Sequence, residues 1–311
     1  MSRPRFAESL DGVLVVDKPA GPTSQHVVTR VRLTLGVARA GHAGTLDPAA
    51  TGVLVIMVGA ATKLGPFLSG HDKSYAATVL LGISTDTLDA EGAPTERASP
   101  LPAWIGDPAT LGSRLAEALA AERQRTLQQP PAFSAIKVGG RAAYARARAG
   151  EKPELAPRPV AVRRLELCSF RREDDVALVE LSLAVGKGYY VRALARDLGA
   201  RLGLPAHLLA LRRTASGPFD LSRAVPAEGA RADLLGGLLG LADAARAALP
   251  CAALTPDGEQ RAARGQRLGA EHFAAPPPLD AASAWLAPSG RLVAVGLCGA
   301  DGRASVLRGF A

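Results

Sequence analysis

The run "GVLVIMVG", Gly52–Gly59, limits the fold more than any other stretch of this chain. Its central residues, Val53 to Val58, are all apolar, and a glycine stands at each end. A short run of this kind without polar alternation fits a strand covered on both faces, so packed layers must lie on either side of it. A second run, "GVLVV", starts at Gly12 and leads into the Pro/Gly turn of "DKPAGPTS", which predicts a short buried strand. Val27, Val31 and Leu35, spaced four apart, predict a helix over 25–35 directly after it.

The remaining segments alternate between the two periods. "KSYAATVLLG" (Lys73–Gly82) is β-rich and ends in the Asp/Gly turn of "STDTLDAEG". Asp107-Pro108 opens a helix carrying Leu111, Leu115 and Leu119. "QPPAFSAIKVGGRAAYARARAGE" (Gln129–Glu151) reads as a proline-led loop and an arginine-studded helix. "PVAVRRLELCSF" and "VALVELSLAVGKGYYV" flank the turn "RREDD", predicting an antiparallel hairpin. A helix with Leu194, Leu198 and Leu202 on one face follows, then the basic "LRRTASGPFDLSRAV", read as a strand. "LLGGLLGLADAARAALP" reads as one connector helix stopping at Pro250. Residues 251–311 change character, with β-like runs such as "RLVAVGLCG" and "RASVLRGF" between Gly/Pro-rich turns. The expected division is a domain of residues 1–248 and a small β-rich one of 249–311.

Composition narrows the function classes. The 311 residues, 48% hydrophobic, suffice for a sizeable core and two domains, and a net charge of +8 points to a polyanionic partner. Cys168, Cys251 and Cys298 form no C-x-x-C pair, and the five histidines never stand three or four apart, so no zinc site is expected. No G-x-x-x-x-G-K-[ST], G-x-G-x-x-G or G-x-S-x-G motif occurs, which leaves cofactor-free chemistry or plain binding. The N-terminus has no apolar signal-like region, and the longest apolar runs, Val53–Ala61 and Leu234–Ala242, are half of a membrane span. A soluble, cytoplasmic protein with no membrane partner is expected. Only six of the 37 basic residues are lysines: Lys18, Lys63, Lys73, Lys137, Lys152 and Lys187.

The stretch "GHAGTLDPAATGVL" holds a lone carboxylate, Asp47. Asp followed by Pro is a standard helix start, and on spacing alone the N-cap reading is the stronger one. The alternative is a nucleophile, since an aspartate is already ionised at neutral pH and needs only a presenting loop and a cationic neighbour.

That stretch, with "KSYAATVLLGISTDTLDAEG" and "GKGYYVRALARDLGARLGLPAHLLALRRTASG", resembles the TruB family of tRNA pseudouridine synthases. "DGVLVVDKPAGPTS" and "QQPPAFSAIKVGGRAAYARARAGE" are similar to two further family blocks in the same order, so the resemblance spans residues 10–220. Beyond residue 250 only the position and β-rich character are similar to the family's RNA-binding PUA domain. The implied fold is α+β: a pseudouridine-synthase-like mixed, largely antiparallel sheet with flanking helices, plus a small PUA-like C-terminal domain. The implied reaction converts uridine 55 in the tRNA T-loop to pseudouridine on a flipped-out base, without a cofactor. The expected partner is the tRNA T-arm, bound by a monomer.

By the same resemblance Asp47 is the nucleophile and His42 helps hold the flipped arrangement. Tyr75 stacks on the uracil, Arg192 pairs with the nucleophile, and Tyr190 and Leu211 complete the uridine pocket. Each has a plainer reading: His42 a loop histidine, Tyr75 and Leu211 core residues, Arg192 a solvated helix arginine. Arg192 lies about 200° around its helix from Leu194, off the leucine face. Asp86 and Asp89 match a turn motif and receive no catalytic role. Tyr189 stands where the family usually has threonine, and its ring is expected on an outer face. The Arg141–Arg148 helix is expected to bind the tRNA backbone, with phosphate contacts possible for some of Lys18, Lys73, Lys137 and Lys187. Two rival classes are an RNA chaperone with an idle pocket and a glycosidase-type hydrolase, the latter lacking the usual paired carboxylates.

Overall fold

A computed structural model describes residues 10–134, 136–138, 140–151 and 155–310. Lys152 and the side chains of Lys137 and Arg148 lie outside the described residues. The chain forms two compact units that exchange segments. Of the described residues, one comprises 10–47, Gly52–His71 and 216–310; the other comprises Pro48–Thr51 and those within Asp72–Ala215.

In the first unit the two apolar runs become neighbouring antiparallel strands, Gly12–Lys18 and Thr51–Val58, with Val15 opposite Val55. Their alternate residues enter different cores, as a doubly covered pleat requires. Val13, Val15, Val53, Val55 and Met57 pack with Ala244 and Ala245, whereas Leu14, Val16, Leu54, Ile56 and Val58 pack with Val27, Val31 and Leu35. Those last three lie on the Ser24–Leu35 helix, which is capped by Thr23 and stopped by Gly36 in the left-handed region. The short strand Ala40–His42 runs antiparallel to Thr51–Val58.

The connector predicted as one helix is two, Arg231–Gly236 and Leu241–Ala248. Between them the chain extends so that Leu239–Gly240 pairs with Gly12–Val13. Gly237 explains the break: a Cβ there would stand 2.6 Å from Val225 Cγ1.

Residues Cys251–Gly309 form a five-stranded sheet in the spatial order Phe273–Ala275, Cys251–Leu254, Ala282–Leu286, Leu292–Cys298, Ala304–Gly309. One face holds its own core around the fully buried Trp285, which meets Phe273 edge-on at 5.2 Å. Ala284, Leu292 and Val295 share the core of Val13 and Val53, so this sheet is packed onto the first strands rather than tethered to them.

The second unit is built on the hairpin Val162–Glu173 and Val176–Val185, whose turn places Asp174 at φ 47°. Lys73–Leu81 pairs antiparallel with the second hairpin strand, setting Tyr75 opposite Leu183, and Ala206–Ser216 lies on its other side. Val179, Leu181, Leu183 and Val185 pack with Leu111, Leu115, Leu119, Leu194, Leu198 and Leu202 from the helices Pro108–Arg123 and Val191–Leu202. Asp107 caps the first of these through the amides of Ala109 and Thr110. The architecture is α+β, with mixed, largely antiparallel sheets and flanking helices. Among the described residues no helix is long and apolar enough to cross a membrane.

Gly296→Ala tests the C-terminal core, because its Cβ would stand 2.0 Å from Trp285 Cζ2. The expected loss is about 3 kcal/mol of stability from overpacking, read by urea unfolding.

Candidate active site

The local backbone settles what Asp47 is not. No helix begins at Asp47-Pro48; the chain passes through bends and enters the Thr51–Val58 strand three residues after Pro48. The cap reading fails because there is no length in which a helix could form.

The loop is held instead from outside. Ser24 Oγ donates to the carbonyl of Leu46 at 2.9 Å and accepts from its amide at 2.8 Å. Both residues are buried, so one side chain satisfies both backbone polar groups of Leu46, the residue before Asp47. The Ala43 amide donates to Val55, and Gly44 turns the chain at φ 115°, a conformation costly for residues with a Cβ. Asp47 is half-buried at the end of this clamped segment, and His42, also half-buried, lies opposite Ile56 in the strand before it.

The other four predicted residues belong to the second unit. Arg192 opens the Val191–Leu202 helix and is buried rather than solvated. Its guanidinium donates to the carbonyls of Phe133 at 2.9 Å and Thr87 at 3.1 Å, and lies 3.6 Å from Asp89 Oδ2. Asp89 in turn accepts from the Thr87 hydroxyl at 2.5 Å and the Glu91 amide at 3.2 Å, so the turn motif braces the arginine. Tyr190 is the N-cap residue of the same helix. Tyr75 packs its ring against the unit's core, and its phenol is hydrogen-bonded by the buried guanidinium of Arg213. Leu211 also packs against this core, and its carbonyl lies 3.5 Å from Thr51 Oγ1. For Tyr75 and Leu211 the core contact and a pocket role are compatible, because each is only partly buried. His42 and Asp47 are thus positioned by one unit, and Tyr75, Tyr190, Arg192 and Leu211 by the other.

The predicted lysines differ in their surroundings. Lys73, two residues before Tyr75, is buried, and burial first, then the charges of Arg213 and Lys187, lower its pKa to about 8, with Asp72 opposing. Lys18 is fully buried and donates to the Pro19 carbonyl at 2.8 Å. Lys63 donates to the Gly309 carbonyl and stands over the Phe310 ring. The arginine-studded helix is shorter than expected, Ala143–Arg148; Arg141 lies in the strand pair before it, and Arg141 and Arg146 both bind Glu151.

Tyr189 departs from expectation. Its ring is in the core, not on an outer face, and its hydroxyl donates to Glu122 at 2.9 Å. Burial pushes the Glu122 carboxyl above its usual range although Arg125 binds it at 2.6 and 2.7 Å, and burial likewise raises the Tyr189 phenol. Sequence reasoning missed Ser24, Glu122, Gln128 and Arg213 as partners of the site, and it left Asp89 in a turn. The Ser24 and Gln128 bonds span 22 and 62 positions, so no local pattern announces them. Among the described residues no group of histidine, cysteine, aspartate or glutamate could hold a metal ion.

The family comparisons define the class, a pseudouridylate synthase. Residues 32–191 match the N-terminal domain of the TruB family pseudouridylate synthases, and 192–232 match the tRNA pseudouridylate synthase B C-terminal domain. Similar curated proteins are tRNA pseudouridine synthase B of Cutibacterium acnes, 45% identical over 91% of this chain and 92% of that one, and of Thermobifida fusca, 44% identical over 92% and 94%. The chain belongs to the TruB family. In fold it is similar to a chain of an H/ACA RNP bound to a substrate RNA containing 2′-deoxyuridine (TM-score 0.70, 21% identity, 96% and 85% covered). It is also similar to a chain of a Cbf5-Nop10-Gar1 complex (TM-score 0.67, 24% identity, 93% and 78% covered).

Ser24→Ala removes both bonds to Leu46 and leaves two buried backbone groups without them. The expected cost is about 2–4 kcal/mol, with faster amide exchange at Leu46. For Lys73, the unfolded chain holds a proton that the folded one lacks between pH 8 and its ordinary 10.5. The cost of burying the charge is therefore complete below pH 8 and vanishes as pH rises through that window. Lys73→Met should raise stability relative to wild type below pH 8 and lose that advantage above 10.5, read by urea unfolding across pH.

Proposed function

We propose that this protein isomerises uridine 55 in the T-loop of tRNA to pseudouridine, with Asp47 as nucleophile. The observation that carries this reading is the clamped, non-helical loop around Asp47. The half-buried carboxylate directly follows Leu46, which Ser24 grips by both backbone groups, so the backbone that presents it is fixed in place. The curated relatives, named as tRNA pseudouridine synthase B across nine-tenths of their length, support the substrate class.

The chemistry conserves atoms. The bond from C1′ to N1 breaks, the uracil turns, a bond forms from C1′ to C5, and the C5 proton is lost while N1 gains one. Asp47 assists the first break by attack at C1′ or by a glycal-type route. Arg192, which keeps its charge in any surroundings, is the cation that the family resemblance pairs with the nucleophile. Tyr75 offers its ring face to the uracil and its phenol to the proton transfer at C5, with Arg213 holding the phenol in place. His42, Tyr190 and Leu211 hold the flipped nucleotide, since a stacked base cannot be reached. The net charge of +8 serves the tRNA backbone, and residues 249–311 act as a PUA-like RNA-binding domain of a cytoplasmic monomer.

Asp47→Asn should reduce pseudouridine formation in a T-arm transcript by at least about 10³-fold while leaving RNA affinity unchanged. Formation at the wild-type rate would remove Asp47 from the mechanism. Wild-type binding with no product would turn the reading to an RNA chaperone, and release of free uracil would turn it to a hydrolase. Affinity should also fall linearly with salt on logarithmic axes, measured by filter binding.

A further inference from the structure

The Val191–Leu202 helix starts without a cap of its own. Its N-cap residue, Tyr190, contributes no side-chain hydrogen bond to the first turn. In a capping box the N-cap amide is bound by a glutamine or glutamate three residues on, which here would be Ala193. The bond comes instead from Gln128, 62 residues earlier. Gln128 Oε1 accepts from the Tyr190 amide at 2.8 Å, and Gln128 Nε2 donates to the Tyr190 carbonyl at 3.1 Å. The amide group thus closes on both polar atoms of one residue, as a neighbouring β-strand would.

Gln128 is itself immobilised. It is 1% exposed, and its strand, Leu127–Gln128, pairs with Arg158–Pro159. The same stretch is stitched along the helix at two further points. The Gln129 carbonyl accepts from Arg196 at 3.0 Å, and the Phe133 carbonyl accepts from Arg192 at 2.9 Å. A partly buried network runs alongside: Tyr189 to Glu122, Glu122 to Arg125, Arg125 to Asp197 at 3.1 Å, and Asp197 to Arg196 at 2.7 Å. Apart from the Glu122–Arg125 bond, each of these contacts has an end within Tyr189–Asp197, the segment that carries Tyr190 and Arg192.

We propose that Gln128 is a positioning residue for the reaction, a cap supplied from outside the helix that fixes Tyr190 and the direction in which Arg192 leaves the first turn. The inference rests on the assignment of Tyr190 and Arg192 to the uridine site. The Tyr189–Glu122 bond is the second support of the same device, and it uses the residue that stands where the family usually has threonine.

The test compares Gln128→Met, which keeps the shape and removes both bonds, with Gln128→Glu, which keeps the acceptor alone. Pseudouridine formation, thermal unfolding and amide exchange at Tyr190 are measured on each full-length protein. Gln128→Met should lower kcat about 10–100-fold with KM for T-arm RNA within about threefold, as expected for misplacement on the scale of an ångström. Tyr190 exchange should quicken in Gln128→Met and stay slow in Gln128→Glu, whose kcat should lie between those of Gln128→Met and wild type. Unchanged kcat in a folded Gln128→Met with quickened exchange would overturn the positioning role, as would a loss of activity that follows the loss of folded protein. If Gln128→Met does not fold, the kcat of Gln128→Glu decides: a fall with KM preserved supports the role, and a wild-type value overturns it. Arg192→Lys is run in parallel. Wild-type activity in that variant would fault the site assignment and leave the clamp, read by exchange, standing.

Discussion

A buried peptide that leaves regular secondary structure must still find partners for its N–H and its C=O. Two side chains meet that demand at the two places that matter most here. Ser24 grips Leu46 by both groups, and Gln128 grips Tyr190 in the same way. Leu46 lies next to Asp47 and Tyr190 is itself a predicted site residue, and each grip comes from a part of the chain held in regular structure. Ser24 begins a capped helix buried against the central strands, and Gln128 lies in a paired strand after the Pro108–Arg123 helix. Irregular backbone can then carry function without the looseness that irregular backbone usually brings.

Charge is handled by the same means. Arg192 is nearly enclosed, yet two carbonyls and the Asp89 carboxylate share its guanidinium, so burial does not leave its donors unsatisfied. The buried Glu122 carboxyl is paired with the half-buried Arg125 and bound by a tyrosine, so removing Arg125 would leave a buried acid without its cation. Lys73 is less fully compensated, and its lowered pKa records the cost of burial beside Arg213 and Lys187. The electrostatic burden of the second unit therefore gathers around the strand and helix ends that carry Tyr75, Tyr190 and Arg192.

Much of the architecture was legible from residue order. The apolar runs at Gly12 and Gly52, the Asp107-Pro108 helix start, and the hairpin around "RREDD" rest on local chemistry that operates wherever the segment lies. The connector reads as one helix from residue order, and only the nearness of Val225 to Gly237 shows why a glycine stands where it divides in two. Tyr189 was misplaced for a similar reason. A polar-tipped ring next to a helix start reads as exposed until Glu122, 67 positions away, is found beneath it.

Sequence alone determined the family-defining motifs, the strands that must be covered on both faces, and the residue types available for chemistry. It could not decide whether Asp47 capped a helix, because Asp-Pro serves a cap and a turn equally well at the level of φ and hydrogen-bonding capacity. Tertiary structure decided that. Only Ala49 and Ala50 separate Pro48 from the Thr51–Val58 strand, whose register with Gly12–Lys18 is fixed, and Ser24, 22 positions before Leu46, supplies bonds that a helix would otherwise have provided. Long-range hydrogen bonds of this kind depend on which segments meet in space, and no local pattern of residues records that.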